Sequence, residues 1–258
     1  MGGRGSSAAG SQGVRIPVAP PSPPPQTRTQ QLMTQVAADP TALATMSDMD
    51  AQTVVQSVAQ LPVLHDGTQE DSFMQRWLNH IGFTSGKPRV LDERSFNAAA
   101  RNSGATVLYH SDSSISNRSS NTMAQQLLTG PTMYAAGGIY GDGTYWATSA
   151  TGSAMYGRSA GTQVKGFISK TRGRVATPAD ERRAVRAFKA THPNTWTWLQ
   201  RNAKTKPGYA PSESLIALAL TAAGYNAYDT GGYKVTFDRS ALTLCSKTRR
   251  TSTITGNW

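Results

Sequence analysis

The chain has 258 residues, 24 of them glycine and 14 proline, with a formal net charge of +11 and an isoelectric point near 10.0. That length fits one domain with a tail or two small domains, and the charge is either that of a plain basic protein or the mark of a polyanionic partner. The single cysteine, Cys245, excludes an internal disulfide and a cysteine-based zinc site. No apolar run reaches the roughly eighteen residues of a membrane-spanning helix, and no apolar stretch of a secretory signal follows Arg4 and Arg15.

Residues 1–30 are rich in Gly, Ser, Gln and Pro, with the run Pro20-Pro21-Ser22-Pro23-Pro24-Pro25. Such a segment buries too little apolar surface to offset its ordering entropy and reads as an extended tether. Residues 31–64 read as short helices and linker. Leu32, Met33 and Val36 fall at helical spacing, Asp39-Pro40 breaks the pattern, and Val54, Val55 and Val58 mark a second helix. These helices are short enough to dock on a partner instead of on the domain.

The domain proper is expected over 65–245. An amphipathic helix from Asp71 to Ile81 carries Phe73 and Trp77, and Gly82 follows as its cap. His80 lies beside the apolar face and reads as a structural histidine. Asp92 caps the helix carrying Phe96, and Gly104 ends it. Ala105 to Tyr109 reads as a buried strand with His110 at its end. A Ser- and Asn-rich loop with Arg118 precedes a helix from Thr122 to Leu128, which Gly130-Pro131 stops. Thr162 to Ser169 alternates as a strand, and Thr177-Pro178 opens a helix whose Arg182, Arg183, Arg186 and Lys189 make a basic face. Ser212 to Ala223 is a further helix closed by Gly224. Two strands, Asn226 to Tyr228 and Tyr233 to Phe237, are joined by a hairpin-like Asp229-Thr230-Gly231-Gly232. A basic tail occupies 246–258. The expected class is α+β, with two small antiparallel sheets meeting around a cleft.

The most informative stretch is Gly138-Ile139-Tyr140-Gly141-Asp142-Gly143-Thr144-Tyr145-Trp146-Ala147, followed by Ser153-Ala154-Met155-Tyr156. Gly141 and Gly143 permit positive φ or close approach to a ligand. Tyr145 and Trp146 suit a strand. Ser153 and Tyr156, three apart, share a face if a helix begins near 151. Such a block can hold a flat polar ring between tyrosines and bind its amide with a hydroxyl and backbone groups.

This block resembles the NAD-binding signature of the ADP-ribosyltransferases, closest to the diphtheria-toxin and poly-ADP-ribose-polymerase type. The resemblance spans roughly residues 70–245, with Val107-Leu108-Tyr109-His110-Ser111 as the upstream histidine strand and Gly232 to Leu242 as the closing strand. It implies an ADP-ribosyltransferase-like split antiparallel β-sandwich with surrounding helices, and NAD as substrate. By the same resemblance His110 and Tyr145 are the catalytic candidates, His110 holding a ribose hydroxyl and Tyr145 lining one side of the nicotinamide. The backbone of Ser111 meets the amide, although the family more often has Gly there. Gly143 keeps the approach open, Ser153 bonds the amide oxygen, and Tyr156 stacks on the ring.

One element of the pattern departs. Where the polymerase type begins its late strand with a catalytic Glu, this chain has Gly232-Tyr233-Lys234-Val235, and no Glu follows Glu213. Mono-transfer, slow NAD hydrolysis and a binding-only role therefore stay open. The expected activity is a mono-ADP-ribosyltransferase acting on a macromolecular acceptor, protein or nucleic acid. The alternatives are a catalytically weak relative with a binding or structural role in a phage virion or larger assembly, tied in through the N-terminal segment, and a nucleic-acid-directed enzyme of the same superfamily. No membrane partner and no metal are expected, and the expected location is the cytoplasm, or the virion for a phage-encoded member.

Overall fold

Helix starts are set by side chains that satisfy the first free backbone N–H groups. In the computed structural model, which describes residues 26–62, 72–111, 127–129, 136–138, 141–154, 162–203 and 215–250, Thr27 and Gln30 form a reciprocal capping box at the start of α1 (Arg28–Ala38). A short α2 (Ala42–Thr45) follows, then α3 (Asp48–Ala59) with Ser47 as cap. Ser72 caps α4 (Phe73–His80), and Asp92 caps α5 (Glu93–Ser103), which ends at Gly104 with φ of 57°. There a left-handed residue closes the last turn, and glycine adopts it without Cβ strain. A short α6 (Ala150–Ala154) follows the fourth strand. Thr177, Pro178 and Asp180 start α7 (Pro178–Thr191) with a second capping box, which leads through His192 into α8 (Pro193–Asn202). The last α-helix among the described residues is α9 (Ile216–Ala222).

The strands are β1 (Arg89–Leu91), β2 (Leu108–Ser111), β3 (Ala136–Gly138), β4 (Gly141–Ala147), β5 (Thr162–Ile168), β6 (Val175–Ala176), β7 (Ala227–Asp229), β8 (Tyr233–Thr236), β9 (Leu242–Cys245) and β10 (Arg249–Arg250). They connect along one path, β1-β9-β5-β2-β4-β8-β7-β6, with β10 added to β5 and β3 to β4. The pairings are antiparallel except β1 with β9 and β6 with β7. Segregated helices and a largely antiparallel sheet make the fold α+β. Where two small sheets were expected, the strands run on continuously, because β8 pairs with β4 on one side and β7 on the other.

The sheet curls. Ala227 of β7 and Leu242 of β9 share one buried cluster, although four strands separate them in the order. That cluster fills the concave face with Leu108, Trp146, Val164 and Leu244. On the convex face, Val235 and Phe237 pack into the largest core, and Phe167 and Cys245 pack with Phe96 of α5 in a smaller one. Helices α1 to α3, read from sequence as linker or docking elements, belong to that largest core: Leu32, Val36, Leu43, Val54, Val55 and Val58 are buried in it with Trp77 and Leu199. Their apolar faces are covered by the domain itself. His80 is structural, with Nε2 3.0 Å from the Met33 carbonyl, and burial lowers its pKa.

Candidate functional site

Strand alternation decides which side chains can meet. Tyr109 pairs with Ala147 and Lys165, and His110 pairs with Val164. Ser111, Tyr145 and Gln163 therefore share the convex face, while His110, Trp146 and Val164 share the concave one. His110 lies three residues into the pairing run rather than beyond its end, because β2 runs on through Ser111, opposite Gln163.

On the concave face the His110 and Trp146 rings lie 5.5 Å apart, centroid to centroid. Trp146 is fully buried and its indole N–H donates to Thr236 Oγ1 at 2.9 Å. Gly166 makes room for it: a Cβ there would stand 3.1 Å from the indole edge. His110 Nδ1 is 2.8 Å from the Tyr145 carbonyl oxygen. A carbonyl only accepts, so Nδ1 carries the proton and Nε2 is the acceptor nitrogen of the neutral ring. This bond fixes the tautomer and the ring orientation at once.

On the convex face α6 brings Ser153 to the sheet. Its Oγ is 2.7 Å from Ser111 Oγ. Gln163 Nε2 donates to Ser111 Oγ at 3.2 Å and to the Ala150 carbonyl at 3.0 Å. All three side chains are buried, so this network both pins α6 and satisfies its own polar groups. Gln163 was not singled out in the sequence: Thr162 and Lys165 of the same strand are polar too, so only its partners mark it.

The remaining site candidates fall as follows. Tyr145 is half-buried and its ring packs at the edge of the largest core. Its carbonyl, rather than its ring, meets His110. Gly143 lies inside β4 without positive φ, and a Cβ there would stand 2.5 Å from Val235 Cγ1 and 2.9 Å from the Thr236 carbonyl oxygen. Contact with β8 is what requires glycine at 143. Tyr156, Met155, Glu213 and Arg118 lie outside the described residues. Arg239, in the closing segment, is buried; its Nη2 donates to the Leu127 carbonyl at 3.1 Å, and desolvation lowers its pKa.

Chemically, the two faces offer different groups one residue apart on β2: a tautomer-fixed imidazole on one side, and two coupled hydroxyls backed by an amide on the other. Hydroxyls and amides of this kind bind a neutral carboxamide, while an acceptor nitrogen suits a sugar hydroxyl. Among the described residues no cluster of His, Cys, Asp and Glu could hold a metal ion, and no helix is long and apolar enough to cross a membrane. No protein-family model matches the chain, and no curated protein sequence is significantly similar to it.

Proposed function

We propose that the chain is an ADP-ribosyltransferase-like protein that binds NAD, cleaves the bond between nicotinamide and ribose, and transfers ADP-ribose to a macromolecular acceptor. The observation that carries this reading is the 2.7 Å contact between Ser111 and Ser153. It joins two sequence blocks that resemble the family's histidine strand and its Ser-Ala-x-Tyr step, and the carboxamide of nicotinamide would exchange into that contact. By the resemblance His110, oriented by the Tyr145 carbonyl, would accept a hydrogen bond from a ribose hydroxyl, but its side chain lies on the face opposite the Ser111–Ser153 contact, so the reading rests on the hydroxyl pair and not on His110. Tyr145 would line the ring, Tyr156 would stack on it, and the sheet would be a variant of the family's split sandwich. Holding the nicotinamide still while positive charge builds on the ribose is the work such a site must do.

A second reading has its own support. No Glu follows Glu213, and position 232 is glycine where the resemblance calls for a carboxylate. A weak or binding-only relative, carried in a virion or another assembly or free in a cytoplasm, accounts for that. Calorimetric titration with NAD, followed by labelled-NAD transfer onto protein and RNA acceptors, separates the two. Binding with transfer supports the enzyme, binding without transfer supports the second reading, and no binding defeats both.

A further inference from the structure

The concave face carries a cleft of about 640 Å³ at the end of β2 where Leu108 lies. Leu108 and Ile168 line it as apolar groups, and Lys170, Arg174 and Lys234 supply three cations against one carboxylate, Asp229. Lys234 ion-pairs with Asp229, so that pair is locally neutral. The Arg174 guanidinium stands 4.5 Å over the Tyr225 ring, with Nη1 3.5 Å from the Ala223 carbonyl. That seat fixes its plane while leaving most of its five-donor fork unused by this contact. Lys170 has no carboxylate partner among the described residues.

Two cations, Lys170 and Arg174, with no carboxylate partner among the described residues, at the edge of a partly apolar hollow select a ligand with an anionic end and a flat, weakly polar body. The volume lies within the range of about 300–1,000 Å³ usual for small-ligand sites, and a planar guanidinium matches phosphate oxygens two at a time. We propose that this cleft binds a nucleotide phosphate, with the charge against Lys170 and Arg174 and the base over Leu108 and Ile168. The cleft lies through the sheet from the Ser111–Ser153 pair, so the inference does not depend on NAD being cleaved there. A free nucleotide and the phosphodiester of a single strand present the same chemistry.

The test is fluorescence anisotropy of the full chain with labelled ATP and with a labelled short single-stranded RNA. Lys170→Glu and the double variant Lys170→Glu/Arg174→Glu are compared with Arg201→Glu, an exposed residue in the last turn of α8. Charge reversal in the cleft should weaken binding about tenfold or more in the double variant and several-fold in Lys170→Glu, in a salt-dependent manner. Arg201→Glu should leave it nearly unchanged. ATP as the better ligand identifies a free nucleotide; RNA that displaces ATP identifies a strand. An equal loss in Arg201→Glu, no loss in either cleft variant, or no binding of either probe to the wild type would overturn the proposal. Lys170 is exposed, so its single variant keeps the test valid if the double variant is destabilised.

Discussion

Ser111 and Ser153, 42 positions apart, meet hydroxyl to hydroxyl at 2.7 Å and are both buried. In the resembling family the position of Ser111 is more often glycine, which has no hydroxyl to occupy its partner. Here each serine satisfies the other, so an incoming carboxamide must displace an existing hydrogen bond. Ser111→Gly should release Ser153 and tighten nicotinamide or NAD binding several-fold. Its stability cost should be about 0.5–1 kcal/mol from strand glycine plus about 0.5–1.5 kcal/mol from the lost hydrogen bond. Ser153→Ala should weaken binding instead. Paired calorimetric titrations of the two variants read the sign directly, and the same direction for both would sink the proposed role of this contact.

Much of this arrangement was legible in the residues. The caps at Asp92, Gly104 and Thr177, the hairpin before Tyr233 and the strand over Thr162 to Ile168 follow from local rules, because each depends on neighbours within a few positions. What escaped depends on partners far along the chain. Gly143 has an ordinary backbone conformation, and only Val235 and Thr236, brought alongside by β8, show why it has no side chain. Gln163 gains its meaning from Ser111 and Ala150. Helices α1 to α3 have helical periodicity, but periodicity does not say which surface covers the apolar stripe.

Gly143 gives a direct stability test. An alanine methyl there would stand within 2.5 Å of Val235 Cγ1 and 2.9 Å of a backbone oxygen. The backbone oxygen cannot yield without breaking the pairing of β4 with β8, so Gly143→Ala should destabilise by about 1–3 kcal/mol as an overpacked site. Urea unfolding of wild type and variant checks this, and an unchanged midpoint would mean that β8 shifts freely.

The N-terminal region should divide sharply in truncation. Deleting residues 1–25, whose composition supports no core, should leave the melting temperature nearly unchanged. Deleting through residue 60 removes Leu32, Val36, Leu43, Val54, Val55 and Val58, the large buried side chains of α1 to α3, together with Ala42 and Ala51, from the largest core. At about 1.5–3 kcal/mol for each large buried side chain, the six together contribute about 9–18 kcal/mol, as much as the roughly 5–15 kcal/mol that holds a domain folded. Circular dichroism of the longer truncation should show an unfolded chain; a cooperative melt would show that the domain closes its core without α1 to α3.

Asp48 links α3 to the start of α8. His192 offers no side-chain cap there, and Asp48 supplies it from the start of α3, accepting from the backbone N–H groups of Asn194 and Thr195 at 3.0 Å each and from Thr195 Oγ1 at 2.6 Å. Burial pushes its carboxyl pKa up, but the hydrogen bonds from Thr195 and Asn194 outweigh that and hold it below 3.8. A depressed folded-state pKa stabilises the fold above the ordinary carboxyl range, and the stabilisation is lost as pH falls below 3.8 through the folded value. Asp48→Ala should therefore cost about 0.5–2 kcal/mol near neutral pH and progressively less below about pH 4. Denaturant unfolding of both chains across that range checks it; a pH-independent difference would show that packing, not the carboxylate, makes the contribution.

The sharpest test of the proposed chemistry is Gly232→Glu. Nothing lies within 4 Å of a Cβ placed at Gly232, so the larger residue has room. Tyr233 pairs with Ala147 and Lys234 with Trp146. Position 232 lies in the bend that joins β7 to β8, one residue before β8 begins. A carboxylate added there stands where the resemblance places the family's Glu, and would stabilise positive charge building on the ribose. If the missing carboxylate limits turnover, Gly232→Glu should raise NAD hydrolysis or transfer while leaving NAD affinity unchanged, because charge that develops only in the transition state adds to rate and not to ground-state binding. Gly232→Gln, equally long and uncharged, should not. Initial rates and NAD titrations on the three chains decide it. A glutamate variant no faster than the glutamine one would mean that position 232 does not reach the reacting sugar.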